Sequence, residues 1–156
     1  MQVVSNLIEA HVFRFNDGKL EFLLMKRSEN EKYPNIWQMV TGTISENEKA
    51  YQTALREIQE ETGLTPERFW IVPQVNSFYS HENDEVCFVP IFAALVKVNS
   101  EVQISPEHSE FLWLDNKNAK KRLAWKGQRN AVDTIYEYFS SKDINLKFIE
   151  IDLTSI

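Results

Sequence analysis

The sequence is poor in several residue types, and each shortage excludes a class of protein. Its 156 residues include one cysteine, so no disulfide can form within the chain. A lone thiol fits a reducing compartment, and the cytoplasm is the predicted location. Only four glycines and five prolines are present. Because no tract of them divides the chain, we expect one domain over residues 1–156.

Positive charge and long apolar runs are also scarce. Seventeen Lys and Arg stand against 23 Asp and Glu, for a net charge of -6. Binding to duplex nucleic acid needs many basic groups on phosphates, so we do not expect it. The apolar runs are too short to span a bilayer, and Glu9 interrupts the first one, so neither a membrane segment nor a cleaved signal is expected. The 43% hydrophobic content suffices for a globular core.

Alternating apolar residues predict two β-hairpins. The first joins residues 3–15 to residues 20–27 through the turn "NDGK" at 16–19. The second joins residues 69–79 to residues 85–98 through the polar loop "SHENDE". Each strand of the second hairpin contains a proline, and proline interrupts regular strand pairing. We therefore expect an irregularity in that hairpin.

The segment between the two hairpins predicts a helix over residues 46–62. Its apolar residues recur at helical spacing and are Tyr51, Ala54, Leu55 and Ile58. Gly63 follows at the position of a C-terminal cap. Residues 130–139 show the same spacing and predict a second helix. Trp125, Lys126 and Arg129 are expected to form a solvent-exposed basic turn at the start of that helix, with the lining of a phosphate pocket as the alternative.

The first helix carries an acidic face. Glu57, Glu60 and Glu61 stand at i, i+3 and i+4, so their carboxylates point the same way. Neighbouring carboxylates repel each other unless a cation lies between them. Hard oxygen ligands suit Mg²⁺ or Mn²⁺, and Mg²⁺ commonly completes its shell with substrate phosphates. The pattern therefore predicts a Mg²⁺ site, with Mn²⁺ as the other candidate ion and a solvated helix face as the alternative.

Residues 42–64 resemble the Nudix box, G-x5-E-x7-R-E-U-x-E-E-x-G-U, where U is aliphatic. The specified positions are all filled, by Gly42, Glu48, Arg56, Glu57, Ile58, Glu60, Glu61, Gly63 and Leu64. The resemblance implies an α+β fold, namely an α/β/α sandwich around a mixed β-sheet. It also implies hydrolysis of a nucleoside diphosphate linked to another group, with a divalent metal ion and water.

The same resemblance assigns roles to residues of the box. Its metal-binding and catalytic carboxylates would be Glu57, Glu60 and Glu61, and the Gly42 carbonyl would be a further metal ligand. Arg56, also counted with the catalytic residues, would pair with a carboxylate, Glu48, and so orient the helix. The residues themselves allow a different role for Glu48, because Ser45 and Glu48 form an S-x-x-E capping box. Both roles remain open from the sequence.

Segments outside the box resemble the bacterial dihydroneopterin triphosphate pyrophosphatases, which also accept dATP-type nucleotides. By that resemblance Glu107, in "SPEHSEFLWL", is a metal ligand or the general base, with Glu110 as its rival. Arg27 and Thr41 are expected to contact substrate. Trp37 is expected to stack on a base or pterin, although a tryptophan between Ile36 and Met39 is as often part of a core.

The sequence therefore predicts a metal-dependent pyrophosphohydrolase that cleaves a nucleoside or pterin triphosphate to the monophosphate and pyrophosphate. Hydrolases of dinucleoside polyphosphates or RNA 5'-pyrophosphates share the "WQ" before the box, but they commonly have "PQGG" or "PGG" where this chain has "MVTG". A non-catalytic ligand-sensing module is a further alternative, which the complete set of glutamates disfavours. The oligomeric state is not fixed, and a homodimer is one assembly that the sequence allows.

Overall fold

The computed structural model describes residues 1–142 and 145–156. The strands are β1 (Gln2–Val4), β2 (Leu7–Asn16), β3 (Lys19–Arg27), β4 (Trp37–Gln38), β5 (Val40–Thr43), β6 (Arg68–Ser80), β7 (Glu85–Leu95), β8 (His108–Leu114) and β9 (Ile149–Ile151). The helices are α1 (Ala50–Thr62), α2 (Asn116–Arg122) and α3 (Lys126–Ser140), and a 3₁₀ turn covers Leu153–Ser155.

The described strands form one mixed sheet between two layers of helix. Its order is β4-β3-β2-β7-β6-β9, while β5 pairs with β2, β8 with β3 and β1 with β7. The β2–β7 and β1–β7 pairs are parallel and the other pairs are antiparallel. One apolar core lies between the sheet and α1, and a second lies between the sheet and the α2–α3 pair. This architecture confirms the predicted α+β sandwich.

The first predicted hairpin is present as β2 and β3. Asp17 and Gly18 both have positive φ, 52° and 75°, which is the backbone of the two-residue turn that matches strand twist. The predicted first strand is nevertheless divided. Residues 5–6 separate β1 from β2, and the carbonyl of Asn6 accepts a hydrogen bond from the N–H of Ile44. A continuous alternation of apolar residues did not reveal this break.

The second predicted hairpin is present as β6 and β7. The pairing register shifts between Ile71 and Val75, the interval that contains Pro73. Pro90 lies opposite Val75, at the edge of the same irregularity. Both prolines therefore stand where the hydrogen-bond ladder is already interrupted, because proline has no N–H to donate. The expected irregularity is confirmed.

The acidic helix begins later than predicted, at Ala50 rather than at residue 46. Asn47 has a φ of 66°, a left-handed conformation that a helical residue cannot take. The Gln52 side chain accepts a hydrogen bond from the N–H of Lys49 and so caps the first turn. The helix ends as predicted at Gly63, whose φ is 70° and whose N–H bonds to the carbonyl of Gln59.

The C-terminal part contains more regular structure than the sequence predicted. Helix α3 begins at Lys126 instead of residue 130, and α2 was not predicted at all. Asp115 caps α2 by accepting a hydrogen bond from the N–H of Asn118. Strand β9 then pairs with β6. Of the described helices, none is long and apolar enough to cross a lipid bilayer.

Candidate active site

An acidic pocket of about 200 Å³ lies beside the C-terminal half of α1. Its walls are Glu57, Glu60, Glu61, Ser105, Pro106 and Glu107. The helix supplies three of these carboxylates, and the loop before β8 supplies the fourth. The structure therefore brings together the four glutamates that the sequence selected, from segments more than forty residues apart.

Glu61 is the most constrained of the four. The residue is only 4% exposed, and its Oε2 atom has no hydrogen-bond partner among the described residues. Burial raises the pKa of its carboxyl to about 9, and repulsion from Glu57 and Glu107 adds to the shift. A hydrogen bond from the Thr41 backbone and attraction to Arg27 oppose it. Glu61 is thus a buried carboxyl group that keeps its proton at neutral pH in the metal-free protein.

Arg56 neutralises the neighbouring part of the pocket. Its Nε and Nη2 donate to the two oxygens of Glu48 at 2.9 and 3.0 Å. Its Nη1 donates to Glu57 at 2.8 Å and to Glu60 at 3.2 Å. Hydrogen bonds from Arg56 and Thr53 lower the pKa of Glu48 to about 2. The predicted pairing of Arg56 with Glu48 is therefore present.

The capping-box alternative for Glu48 is wrong as a helix cap. Its carboxylate does accept a hydrogen bond from the N–H of Ser45, at 3.3 Å. Such a box requires Ser45 to be the N-cap, but the N-cap of helix α1 is Lys49, four residues later. The Ser45–Glu48 contact stabilises the loop before the helix, and the Glu48 side chain mainly holds Arg56.

Glu57 is packed against Gly42. A Cβ atom on Gly42 would stand 2.3 Å from Cγ of Glu57, which is closer than atoms can approach. The requirement for glycine therefore comes from the Glu57 side chain rather than from backbone conformation. Burial raises the pKa of the Glu57 carboxyl, and its bond to Arg56 partly offsets that shift. The absence of a side chain at residue 42 lets this carboxylate reach the pocket.

The donor set fits a divalent cation. Within residues 1–142 and 145–156 no three acidic, His or Cys side chains already converge at metal-ligating distances. Glu57 and Glu60 instead turn towards Arg56. The unpaired buried oxygen of Glu61 and the mutual repulsion of Glu57, Glu61 and Glu107 are nevertheless features that a cation would relieve. Carboxylate oxygens are the ligands that Mg²⁺ and Mn²⁺ prefer.

The position of Glu107 distinguishes it from Glu110. Glu107 is an exposed residue of the loop before β8, and its carboxylate is close enough to Glu61 to raise that group's pKa. Glu110 lies further along β8, does not line the pocket, and pairs with Lys26 at 3.2 Å. The geometry therefore favours the residue that the sequence selected.

A larger cavity of about 470 Å³ adjoins this pocket, and the start of α3 forms part of its wall. Its walls are Leu7, Ile8, Glu9, Arg27, Lys32, Tyr33, Ile36, Gln38, Thr41, Gly42, Thr43, Phe78, Val89, Trp125 and Gln128. Gly42 lies in this wall and also against Glu57 of the acidic pocket. Thr41 lies in it too, and its backbone bonds to Glu61. Strand β5 is thus the boundary between cavity and pocket.

Arg27 and Thr41, which the sequence analysis expects to contact substrate, both lie in the cavity wall. Arg27 is held at the end of β3, where its Nε donates to the carbonyl of Lys32 at 2.6 Å. Its Nη2 is 3.6 Å from a carboxylate oxygen of Glu31. Its charge also acts on Glu61. Arg27 is therefore a fixed guanidinium between the cavity and the acidic pocket.

Trp37 does not line the cavity. Its ring packs against the core between the sheet and α2–α3, and the Arg122 guanidinium stands 5.1 Å from the ring centroid. The next residue, Gln38, points the other way and does line the cavity, because successive strand residues face opposite sides. The predicted stacking of Trp37 on substrate is therefore wrong in this geometry, and the core alternative is correct.

The cavity contains residues that sequence reasoning missed. Tyr33 and Trp125 come from distant loops and meet edge to face, with ring centroids 5.7 Å apart. Both remain partly exposed, at 56% and 41%. For Trp125 the sequence favoured a solvated turn over a pocket lining, and the structure places it in the cavity wall. Glu9 was noted only as a break in an apolar run. An aromatic or acidic residue on a separate element carries no local signal of such convergence.

Comparisons with known proteins identify the domain family. Residues 6–135 match the family model of the NUDIX domain. The octanoyltransferase of Myxococcus xanthus is 34% identical over 104 residues, which are 62% of this chain but only 28% of that protein. The asymmetrical bis(5'-nucleosyl)-tetraphosphatase of Caenorhabditis elegans is 29% identical over 70% of this chain and 78% of that protein.

Solved structures show the same fold. A crystal structure of a C. elegans Ap4A hydrolase has a TM-score of 0.76 at 23% identity, covering 88% of this chain and 98% of that chain. The E. coli dihydroneopterin triphosphate pyrophosphohydrolase has a TM-score of 0.66 at 24% identity, covering 84% of this chain and 92% of that chain. TM-scores at this level establish a common fold, and identities below 25% do not select a substrate.

Proposed function

Because the chain belongs to the NUDIX domain family and is a hydrolase of that family, we propose that it cleaves a nucleoside or pterin triphosphate to the monophosphate and pyrophosphate. One observation carries the proposal, namely the contact of a cavity sized for a small molecule with a pocket of four carboxylates. A substrate with a planar ring at one end and phosphates at the other matches that division.

The proposed binding mode follows from the boundary at β5. The heterocycle lies in the cavity near Tyr33 and Trp125, and the phosphates cross Thr41 and Gly42 towards the glutamates of α1. Arg27, fixed between the two compartments, binds phosphate oxygens, since a guanidinium matches them in charge and geometry. The phosphates could not enter the acidic pocket without a cation, because carboxylates and phosphates repel each other.

Glu57, Glu60 and Glu61 would hold the divalent ion, with the Gly42 carbonyl next to them. When bound, the ion would offset phosphate charge and lower the pKa of the attacking water. Glu107 would accept a proton from that water, since it is exposed at the pocket rim and carries no ion pair in the described structure. Arg56 would orient Glu57 and Glu60 through its hydrogen bonds and would keep Glu48 ionised.

A dinucleoside polyphosphate is the second candidate substrate. It is supported by the likeness to a protein named as an asymmetrical bis(5'-nucleosyl)-tetraphosphatase over 70% of this chain. The "MVTG" segment before the box favours the triphosphate, because members of the other branch commonly carry "PQGG" or "PGG" there. The two substrates give different products, which makes the choice measurable.

The test is a screen of nucleoside triphosphates, dihydroneopterin triphosphate and dinucleoside tetraphosphates, each with Mg²⁺, with Mn²⁺ and with a chelator. The proposal predicts metal-dependent release of pyrophosphate together with a monophosphate. Release of a nucleoside triphosphate and a monophosphate from the dinucleotide, at higher kcat/KM, would select the second candidate. Binding of these compounds without turnover would instead support a sensor module.

A further inference from the structure

A buried carboxylate projects into the cavity at a distance from the acidic pocket. Glu9 lies on β2 directly opposite Thr41 of β5, and both residues line the cavity wall. Glu9 is only 7% exposed. A carboxylate buried to this extent needs hydrogen-bond donors, because an unpaired buried charge is strongly destabilising. It also has no part in the proposed cleavage of the phosphate chain.

The hydrogen bonds of Glu9 leave it with unused acceptor capacity. Within the described part of the chain, its donor is the amide of Asn76, whose Nδ2 is 3.2 Å from Oε1 and 3.0 Å from Oε2. The nearest His11 atom, Nε2, is 3.9 Å from Oε2 and too far for a hydrogen bond. Two carboxylate oxygens offer about four acceptor positions, so one amide group does not saturate them.

Asn76 is itself fixed in one orientation. Its Oδ1 accepts a hydrogen bond from Nε2 of Gln74 at 2.8 Å, so its Nδ2 must point towards Glu9. Nε2 of Gln74 also donates to the carbonyl of Gly127 at 2.9 Å, in the first turn of α3. A Cβ on Gly127 would stand 2.5 Å from Oδ1 of Asn76. This chain of contacts holds Glu9 in place relative to the helix that follows Trp125.

Heterocycles differ in what they offer to such a carboxylate. Guanine and the 2-amino-4-oxopteridines present a ring N–H beside an exocyclic amino group, which gives two parallel donors. A carboxylate accepts such a pair in a bidentate manner, as it does from a guanidinium. Adenine presents an amino donor beside a ring nitrogen acceptor, an arrangement that pairs with an amide side chain. One carboxylate oxygen would then face a lone pair.

We propose that Glu9 is a specificity-determining residue that accepts two hydrogen bonds from a 2-amino-oxo heterocycle and disfavours adenine. The inference rests on the proposed function in placing the heterocycle in this cavity. Tyr33 and Trp125 contact its plane, Asn76 positions the carboxylate, and the ring edge with two donors faces Glu9. Substrates with a guanine or pterin ring are therefore preferred to dATP-type substrates.

The test uses equilibrium binding, so that it does not depend on hydrolysis. GMP, IMP and AMP share the same phosphate and would be titrated with Mg²⁺ into the ¹⁵N-labelled protein, with NMR shifts giving Kd. We expect GMP to bind roughly ten- to a hundredfold more tightly than AMP, which is the range for one bidentate contact. IMP, which lacks the 2-amino group, should fall between them. This ligand series tests the inference without any substitution.

Glu9→Gln gives the sharper result, because it replaces one acceptor by a donor at nearly constant shape. The variant should lose affinity for GMP, gain affinity for AMP and so reverse the preference. Glu21→Gln is the matched control, since Glu21 is on the same sheet, pairs with Arg14 and does not line the cavity. Its preference should equal that of the wild type.

Equal affinities of the wild type for GMP and AMP, or no measurable binding of GMP, would overturn the inference. An equal loss of affinity for both nucleotides in Glu9→Gln would also overturn it, since Glu9 would then only support the cavity. A protein that prefers GMP but hydrolyses no triphosphate would retain the inference about Glu9 and refute the proposed function.

Discussion

Glu61 should make the metal-free protein less stable as the pH rises. Its folded-state pKa of about 9 lies well above its ordinary value of 4.5. Between these values the folded state binds a proton that the unfolded state has lost, so stability falls as pH increases. Each pKa unit corresponds to about 1.4 kcal/mol. The penalty at pH 7 is therefore up to about 3 kcal/mol.

Glu61→Gln should remove this penalty, because glutamine has nearly the shape of the protonated acid and carries no charge. In the presence of a chelator, urea unfolding should show that the variant is more stable than the wild type. The difference in their free energies of unfolding should grow by about 1.4 kcal/mol for each pH unit above 5. With Mg²⁺ the stability difference between variant and wild type should narrow or change sign. A ligand at a hundred times its Kd adds about 2.7 kcal/mol to the free energy of unfolding, and only the wild type should gain it.

The control is Glu46→Gln, which removes an exposed carboxylate from the loop before α1. It should follow the wild-type stability curve at every pH. If Glu61→Gln also follows that curve in chelator between pH 5 and 8, folding does not raise the pKa of Glu61 and the reasoning is refuted. A stabilised variant that still gains the full Mg²⁺ effect would refute its role as a metal ligand.

Three further substitutions test other parts of the site. Arg27→Ala should raise KM for a triphosphate by about tenfold or more with a smaller change in kcat, because it removes a phosphate contact; unchanged steady-state kinetics would return Arg27 to a structural role. Glu107→Gln should lower kcat by about a hundredfold at unchanged Tm, whereas Glu110→Gln should have little effect on kcat. A large loss in Glu110→Gln and a small one in Glu107→Gln would show that Glu110 is the base. Gly42→Ala should lower turnover strongly, because the new Cβ would lie 2.3 Å from Cγ of Glu57 and would displace that side chain. Full activity would show that the Glu57 side chain can move without loss of turnover.

Much of the fold could be predicted because local patterns determined it. The turn at Asp17 and Gly18 and the end of α1 at Gly63 depend on positive φ, which few residues adopt. The acidic face of α1 follows from helical spacing alone. The start of α1 was wrong because Asn47 takes a left-handed conformation that its sequence context permits but does not require.

The cavity could not be predicted in the same way. Its walls come from β2, β3, β4, β5, β6, β7, the loop before β4 and the start of α3. Glu9 and Asn76 meet across strands that are 67 residues apart in sequence. Trp37 and Trp125 have similar polar and apolar neighbours, yet the first is in the core and the second in the cavity wall. Only the pairing of strands and the position of α3 decide which one faces the cavity.

The most direct test is Mg²⁺-dependent turnover of the best triphosphate substrate by the wild type and by Glu60→Gln and Glu61→Gln. Each substitution removes one ligand charge at nearly constant shape, so metal binding should suffer more than folding. We predict that kcat/KM falls by orders of magnitude in both variants, while circular dichroism and Tm in chelator show a folded protein. Near-normal Mg²⁺-dependent turnover in both folded variants would contradict a metal-dependent hydrolase centred on the acidic face of α1.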